Sequence, residues 1–191
     1  MPLIVVYDAN VLYPSTLRDV LIRVGIARLV QPKWTEQILD EVFRTLQANR
    51  PDLETTRLDR TRELMNAAVR DVVVSSYEHR IGEITLPDPD DRHVVAAAIH
   101  IEAKLIITKN LRDFPAAALE PWGISAQHPD AFLAEIHREH PHVLAKIVRE
   151  IARAWSADES TPGQVVDRLA VDAPRVAGLI RASLRGGSGS G

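Results

Sequence analysis

Leu3 to Tyr7 reads LIVVY, five apolar residues in a row, and the run stops abruptly at Asp8. It has no polar alternation, so neither face of a strand made from it can be turned to water. A strand covered on both sides belongs in a parallel sheet layered between helices, because each parallel connection must cross over and the crossover is usually a helix. The first apolar run therefore predicts the layering of the whole chain. It also places Asp8 at the carboxyl end of a central strand.

The rest of the sequence follows the same alternation. Pro14, Ser15 and Thr16 offer a helix start, with Leu17, Val20, Leu21 and Val24 at helical spacing behind them. Thr35 is placed to cap a second helix that buries Ile38, Leu39, Val42, Phe43 and Leu46. A third helix, Thr56 to Val69, leads through Asp71 into a strand at Val72 to Val74. The loop LPDPDD opens the helix HVVAAAIHIEA, and strands follow at Leu105 to Thr108 and Gly123 to Ala126. Four strands among helices predict an α/β fold: a parallel sheet covered by helices on both faces.

From about Pro129 the strand signals cease. Pro141 suits the first turn of a helix whose stripe is Leu144, Ile147, Val148, Ile151 and Trp155. Thr161 and Pro162 repeat the cap and first-turn signal, and Pro174 begins a last stripe of Val176, Leu179, Ile180 and Leu184. The expected organisation is an α/β domain over 1–136 and an all-helical extension over 137–185. Residues 186–191, GGSGSG, have the composition of a flexible linker or tail.

Charge and composition narrow the chemistry. The sequence contains no cysteine, which excludes a disulfide framework, thiol catalysis and thiolate metal sites and agrees with a reducing cytoplasm. Any metal must be held by oxygen or histidine. No apolar run approaches the roughly 20 residues that span a bilayer, and no basic leader precedes LIVVY, so neither a membrane partner nor a signal peptide is expected.

In open parallel sheets ligands bind beyond the carboxyl ends of the strands. Asp8 follows the first strand, Asp113 follows LIIT within TKNLRDF, and Asp88, Asp90 and Asp91 open the helix before that strand. With Asp40 or Glu41 from the second helix, four acids meet at one edge of the sheet. Carboxylates at such range repel unless a cation neutralises them, and hard ions such as Mg²⁺ or Mn²⁺ take carboxylate oxygens. The chemistry implied is metal-assisted phosphoryl transfer. Each acid alone has an ordinary structural use, as a turn residue or helix cap. Their joint placement beside Asn10, Thr108 and Asn110 raises the metal reading.

The segments VVYDANVLYPS, ILDEV, LPDPDDRHVVAAAIH and LIITKNLRDFP, spanning Leu3 to Ile136 in this order, resemble the PIN-domain nucleases, in particular the toxin halves of VapBC-type toxin–antitoxin pairs. The resemblance implies a PIN-like fold and an endoribonuclease that uses Mg²⁺ or Mn²⁺. Its metal-binding acids would be Asp8, Glu41, Asp91 and Asp113, with Thr108 and Asn110 as polar catalytic residues around them and Asn10 matching the DxN start. Asp88 and Asp90 stand as second-shell or cap candidates. Arg92, Lys109 and Arg112, interleaved with these acids, are candidates for contacts to substrate phosphates. The resemblance also implies a small antitoxin as partner, with an RNA substrate; a homodimer is left open for the extension.

Such a site hydrolyses a phosphodiester by metal-activated water and leaves 5′-phosphate and 3′-hydroxyl ends, without a nucleophilic side chain. Setting the four site acids apart from the 26 Asp and Glu leaves 22 against 23 Lys and Arg, so the net charge of −3 does not oppose an RNA substrate. His137, His140 and His142 are close in sequence, but Pro141 interrupts any shared helical face, which suits a solvated turn better than a metal clip. Trp155 suits packing better than base stacking. Two rival functions are weighed. A haloacid-dehalogenase-like phosphatase wants DxD where this chain has DAN, and its acid pair should follow the Thr strand, whereas DPDD precedes it. A non-catalytic PIN scaffold that merely binds RNA or a protein has no need of all four acids, and this sequence keeps them.

Overall fold

The computed structural model describes residues 2–155 and 160–186. The first half runs β1 (Leu3–Tyr7), α1 (Ala9–Leu12), α2 (Ser15–Ile26), β2 (Val30–Thr35), α3 (Glu36–Asn49), α4 (Thr55–Ala68) and β3 (Val73–Val74). Then come α5 (Arg92–His100), β4 (Leu105–Ile107), α6 (Ala116–Leu119), β5 (Ser125–Gln127) and the four helices α7 (Pro129–Glu139), α8 (Pro141–Ala154), α9 (Pro162–Leu169) and α10 (Pro174–Gly186). Of the sequence GGSGSG, all but Gly186 lies outside the described residues.

The five strands form one sheet in the order β3-β2-β1-β4-β5, every pair parallel. This is the α/β fold the alternation predicts, with one strand more. β2 carries Pro32, which lacks an amide donor and argues against a strand in sequence. The ladder tolerates it because the Trp34 amide donates to Val72 O at 3.1 Å, so by alternation the Pro32 nitrogen faces the β3 side, where β3 begins only opposite Trp34. Val5 and Val6 of β1 are fully buried between β2 and β4.

Small residues set the helix layers close to this sheet. Val94 to Ala98 of α5 are fully buried. Tyr7 stacks on Trp34 with ring centroids 6.5 Å apart and meets Phe132 of α7 edge-on at 6.4 Å, which joins the sheet to the C-terminal helices. Asp130 of α7 accepts the Arg175 and Val176 amides at 3.0 and 2.8 Å and so caps α10. Leu144, Ile147, Val148, Ile151, Val176 and Ile180 are buried in the same apolar cluster as β1. The expected boundary at residue 136 falls inside α7. His137 is buried there against Ser183 Oγ at 3.0 Å. Trp155, beyond α8, carries the Arg168 guanidinium over its ring at 4.4 Å. Among the described residues no helix is long and apolar enough to cross a membrane.

α2 packs tightly on β2 at Gly25, where a Cβ would lie 2.4 Å from Pro32 Cγ and 2.8 Å from Pro32 Cδ. A proline ring has no rotamer with which to yield. Although alanine is the better helix former by about 1 kcal/mol, Gly25→Ala should lower the unfolding free energy by about 1–3 kcal/mol through overpacking. Urea denaturation checks this, and equal or higher stability would mean that α2 can lift off β2 freely.

Candidate metal centre

The strand order reverses at β1: β2 lies on one side and β4 on the other, so the chain diverges at their carboxyl ends and leaves a crevice. Asp8 sits in it, anchored by its own amide, which donates to Ile107 O at 3.1 Å. Asp8 is buried, with 5% of the residue exposed. One oxygen accepts the Ala9 amide at 2.8 Å and caps α1, while the other accepts Asn10 Nδ2 and Thr108 Oγ1, each at 2.8 Å. A carboxylate has about four lone-pair sites, so three of them are used to orient it. Burial pushes its pKa up, partly offset by the bonds from Thr108 and Ala9.

Asn10 and Thr108 tie the two strand ends together. Asn10 Nδ2 also donates to Thr108 Oγ1 at 2.9 Å, and Asn10 Oδ1 accepts the Lys109 amide at 2.9 Å. The Asn110 amide donates to Thr108 Oγ1 at 3.1 Å, and Asn110 Nδ2 donates to Asp113 Oδ2. Each of these polar residues thus holds a carboxylate or the loop that carries one.

The loop before α5 sorts its three aspartates. Asp88 Oδ1 accepts the Asp90 amide at 2.9 Å, the local turn that its position before a proline favours. Asp90 is exposed, whereas Asp91 is half-buried and caps no helix amide with its side chain. One carboxylate oxygen from each of Asp88, Asp91 and Asp113 lies within 4.8 Å of the others. The Asp91 pKa is pushed up to about 6, first by burial and then by the charges of Asp8, Asp88, Asp113 and Glu41. Asp91 therefore feels the charge of four other acids, of which Asp88 and Asp113 share the 4.8 Å group with it while the expected ligands Asp8 and Glu41 lie outside that group.

The choice between Asp40 and Glu41 turns on their long-range partners. Arg62 of α4 takes Asp40 at 2.7 Å and also pairs with Glu36, so Asp40 faces α4. Glu41 Oε1 lies 2.7 Å from His93 Nε2, at the start of α5 and beside the cluster. That oxygen lies off the ring N–H direction, and neither nitrogen of the buried His93 ring makes a hydrogen bond. Sequence reasoning passed over His93, whose only signal is its place two residues after Asp91.

Of the three basic candidates, Arg92 and Lys109 are held by the protein and Arg112 is 89% exposed beside Asp113. Arg92 Nε donates to Pro89 O at 2.9 Å, Arg112 lies 3.6 Å from Asp113 Oδ1, and Lys109 Nζ pairs with Asp172 in the turn between α9 and α10. Three hard oxygens in mutual reach, with no thiolate, suit a divalent cation of the Mg²⁺ or Mn²⁺ kind.

Residues 4–112 match the family model described as PIN domain. The chain is 35% identical over 98 residues to "Putative ribonuclease VapC50" of Mycobacterium tuberculosis (strain ATCC 25618 / H37Rv), an alignment covering 51% of this chain and 58% of that protein. The chain thus spans less than two thirds of this curated relative. No solved structure matches.

The raised Asp91 pKa means that its ionised form destabilises the metal-free fold. The penalty is absent below the unfolded value near 4, grows as pH rises, and is complete above about 6. In EDTA, Asp91→Asn should therefore raise the melting temperature by a few degrees at pH 7.5 and leave it unchanged at pH 3.5. Thermal scans at the two pH values test the sign; a variant less stable at pH 7.5 would place Asp91 outside the repulsive cluster.

Proposed function

We propose that this chain, which belongs to the PIN-domain family, is a divalent-metal-dependent endoribonuclease acting as the toxin of a type II toxin–antitoxin pair. The observation that carries the reading is the half-buried Asp91 carboxyl, pushed up to about 6 beside Asp88 and Asp113. Acids so arranged are costly in the free protein, and a bound cation would offset that cost. The identity to a protein named as a ribonuclease supports an RNA substrate.

Asp91 and Asp113 would hold Mg²⁺ or Mn²⁺, with Asp8, Glu41 and Asp88 completing the ring. A bound ion of this kind supplies Lewis acidity and brings the pKa of a coordinated water near neutrality. The chain's own part is positioning. Thr108 and Asn10 hold Asp8 in one orientation, and Asn110 holds Asp113, so the acids need not reorganise when the substrate phosphate arrives. No Ser, Cys or His is placed as a nucleophile here, which favours direct hydrolysis with 5′-phosphate and 3′-hydroxyl products. The resemblance to VapBC toxins extends the reading to a small antitoxin that masks this crevice, in the cytoplasm, and leaves a homodimer open. The C-terminal helices are assigned to support of the nuclease domain, since α7, α8 and α10 share its core.

Asp91 and Asp90 are adjacent but differ in direction, so they separate a ligand from a neighbour. Loss of a residue that only supports a metal ligand typically costs about 10–100-fold, and loss of the ligand should exceed that. Asp91→Ala should lose more than about a hundredfold in Mn²⁺-dependent RNA cleavage, and Asp90→Ala less than about tenfold. Single-turnover cleavage with 5′-labelled RNA checks both, and equal losses would mean that the two carboxylates share one role.

A further inference from the structure

Five carboxylates at one edge of the sheet repel the phosphates of any strand that approaches, apart from the one phosphate that meets the cation. The flanking nucleotides must be held by cations outside the acid cluster. Arg92, Lys109 and Arg112 each already face a carbonyl or carboxylate of the protein. Arg44 does not: among the described residues this exposed arginine makes no hydrogen bond or ion pair.

Arg44 borders a cavity of about 520 Å³ that opens directly beside the acids, between α1 and α3. Its walls include Asn10, Tyr13, Glu41, Arg44, Thr45 and Lys109. Glu41, Arg44 and Thr45 are three and four residues apart on α3 and share one face, so the cation and the hydroxyl stand one helical turn, about 5.4 Å, beyond the acid. Across the cleft, Tyr13 closes α1, and its hydroxyl accepts Asn49 Nδ2 of α3 at 3.0 Å. That bond fixes the phenol between the two helices, and no other aromatic ring among the described residues stacks on it. The volume is in the range of small-molecule sites. A free guanidinium, a hydroxyl and a pinned aromatic ring are the groups that recognise a nucleotide of a single strand: phosphate by charge, base by stacking.

We propose that the α1–α3 cleft is the subsite for the nucleotide next to the scissile phosphate, with Arg44 and Thr45 holding its phosphate and the Tyr13 ring taking its base. The proposal rests on the ribonuclease reading and adds to it the direction in which the strand leaves the acids. A single-stranded RNA is favoured over an acidic peptide because a peptide carboxylate would have no use for the ring, and because the cleft is lined by Glu41, whose charge acts on Asp91, and by Asn10, which holds Asp8.

The test is fluorescence polarisation of a 5′-labelled octauridylate on the full chain, with Ca²⁺ in place of Mg²⁺, the oligonucleotide checked intact on a gel, and KCl varied from about 50 to 300 mM. Arg44→Glu should weaken binding at least about tenfold and lower the salt slope by about 0.7, the contribution of one phosphate contact to a single strand. Arg44→Lys should recover most of the slope. Tyr13→Ala should weaken binding about tenfold and leave the slope unchanged. An Arg44→Glu variant with wild-type affinity and slope overturns the subsite while leaving the ribonuclease reading in place. A polyglutamate peptide that binds the wild type but not Arg44→Glu, with RNA binding both equally, overturns it in favour of an acidic protein segment. A wild-type chain that neither binds nor cleaves RNA removes the ribonuclease reading, and the subsite with it.

Discussion

Two like charges about 5 Å apart near a protein surface repel by about 3 kcal/mol, and this fold holds three aspartates within that range, with two more acids close enough to act on the central one. Everything around the crevice serves to keep them there. The β1–β4 pairing brings Asp8 against Ile107, the polar pair Asn10 and Thr108 locks the two strand ends, and the turn at Asp88 directs Asp91 inward while Asp90 faces water. The small residues of α5 contribute at a distance. Their burial against the sheet brings the first turn of that helix, and so Asp91 and His93, down to the strand ends.

The C-terminal helices bear on the same constraint. They are packed into the core of the α/β layers through Phe132 and Val176 and the cap that Asp130 provides to α10. The turn that follows α9 reaches the site itself, where Asp172 holds the Lys109 side chain while the Lys109 amide holds Asn10. A chain of contacts therefore runs from the last two helices to the Asp8 carboxylate.

What was legible in the sequence is what depends on local pattern. The run LIVVY fixed a central strand and put Asp8 at its end, Thr35 was readable as a cap and accepts the Ile38 amide at 3.0 Å, and Thr161 was readable as a cap, to which the structure adds a capping box with Gln164. β2 escaped because Pro32 breaks the strand pattern, and only the shortness of its neighbour β3 makes the proline harmless. Asp40 and Glu41 are equivalent on a helical wheel; they are separated by Arg62 and His93, which lie far along the chain. Arg44 and Tyr13 gave no signal, because nothing local says which face of α3 looks toward α1. The pairing of Lys109 with Asp172 spans 63 residues and is invisible to any periodicity.

The central claim is that these acids are held together for a cation, and the most direct measurement is the proton count on binding one. Burial and the neighbouring acids push the Asp91 carboxyl up to about 6, and burial raises Asp8 as well, so the cluster carries protons in mildly acidic solution and a bound divalent ion must expel them. Calorimetric titration of Mn²⁺ at pH 6, in two buffers of different ionisation enthalpy, should show binding with proton release, and the release should shrink as the pH is raised to 8. Absence of binding at millimolar Mn²⁺, or binding with no proton released at pH 6, would contradict the account.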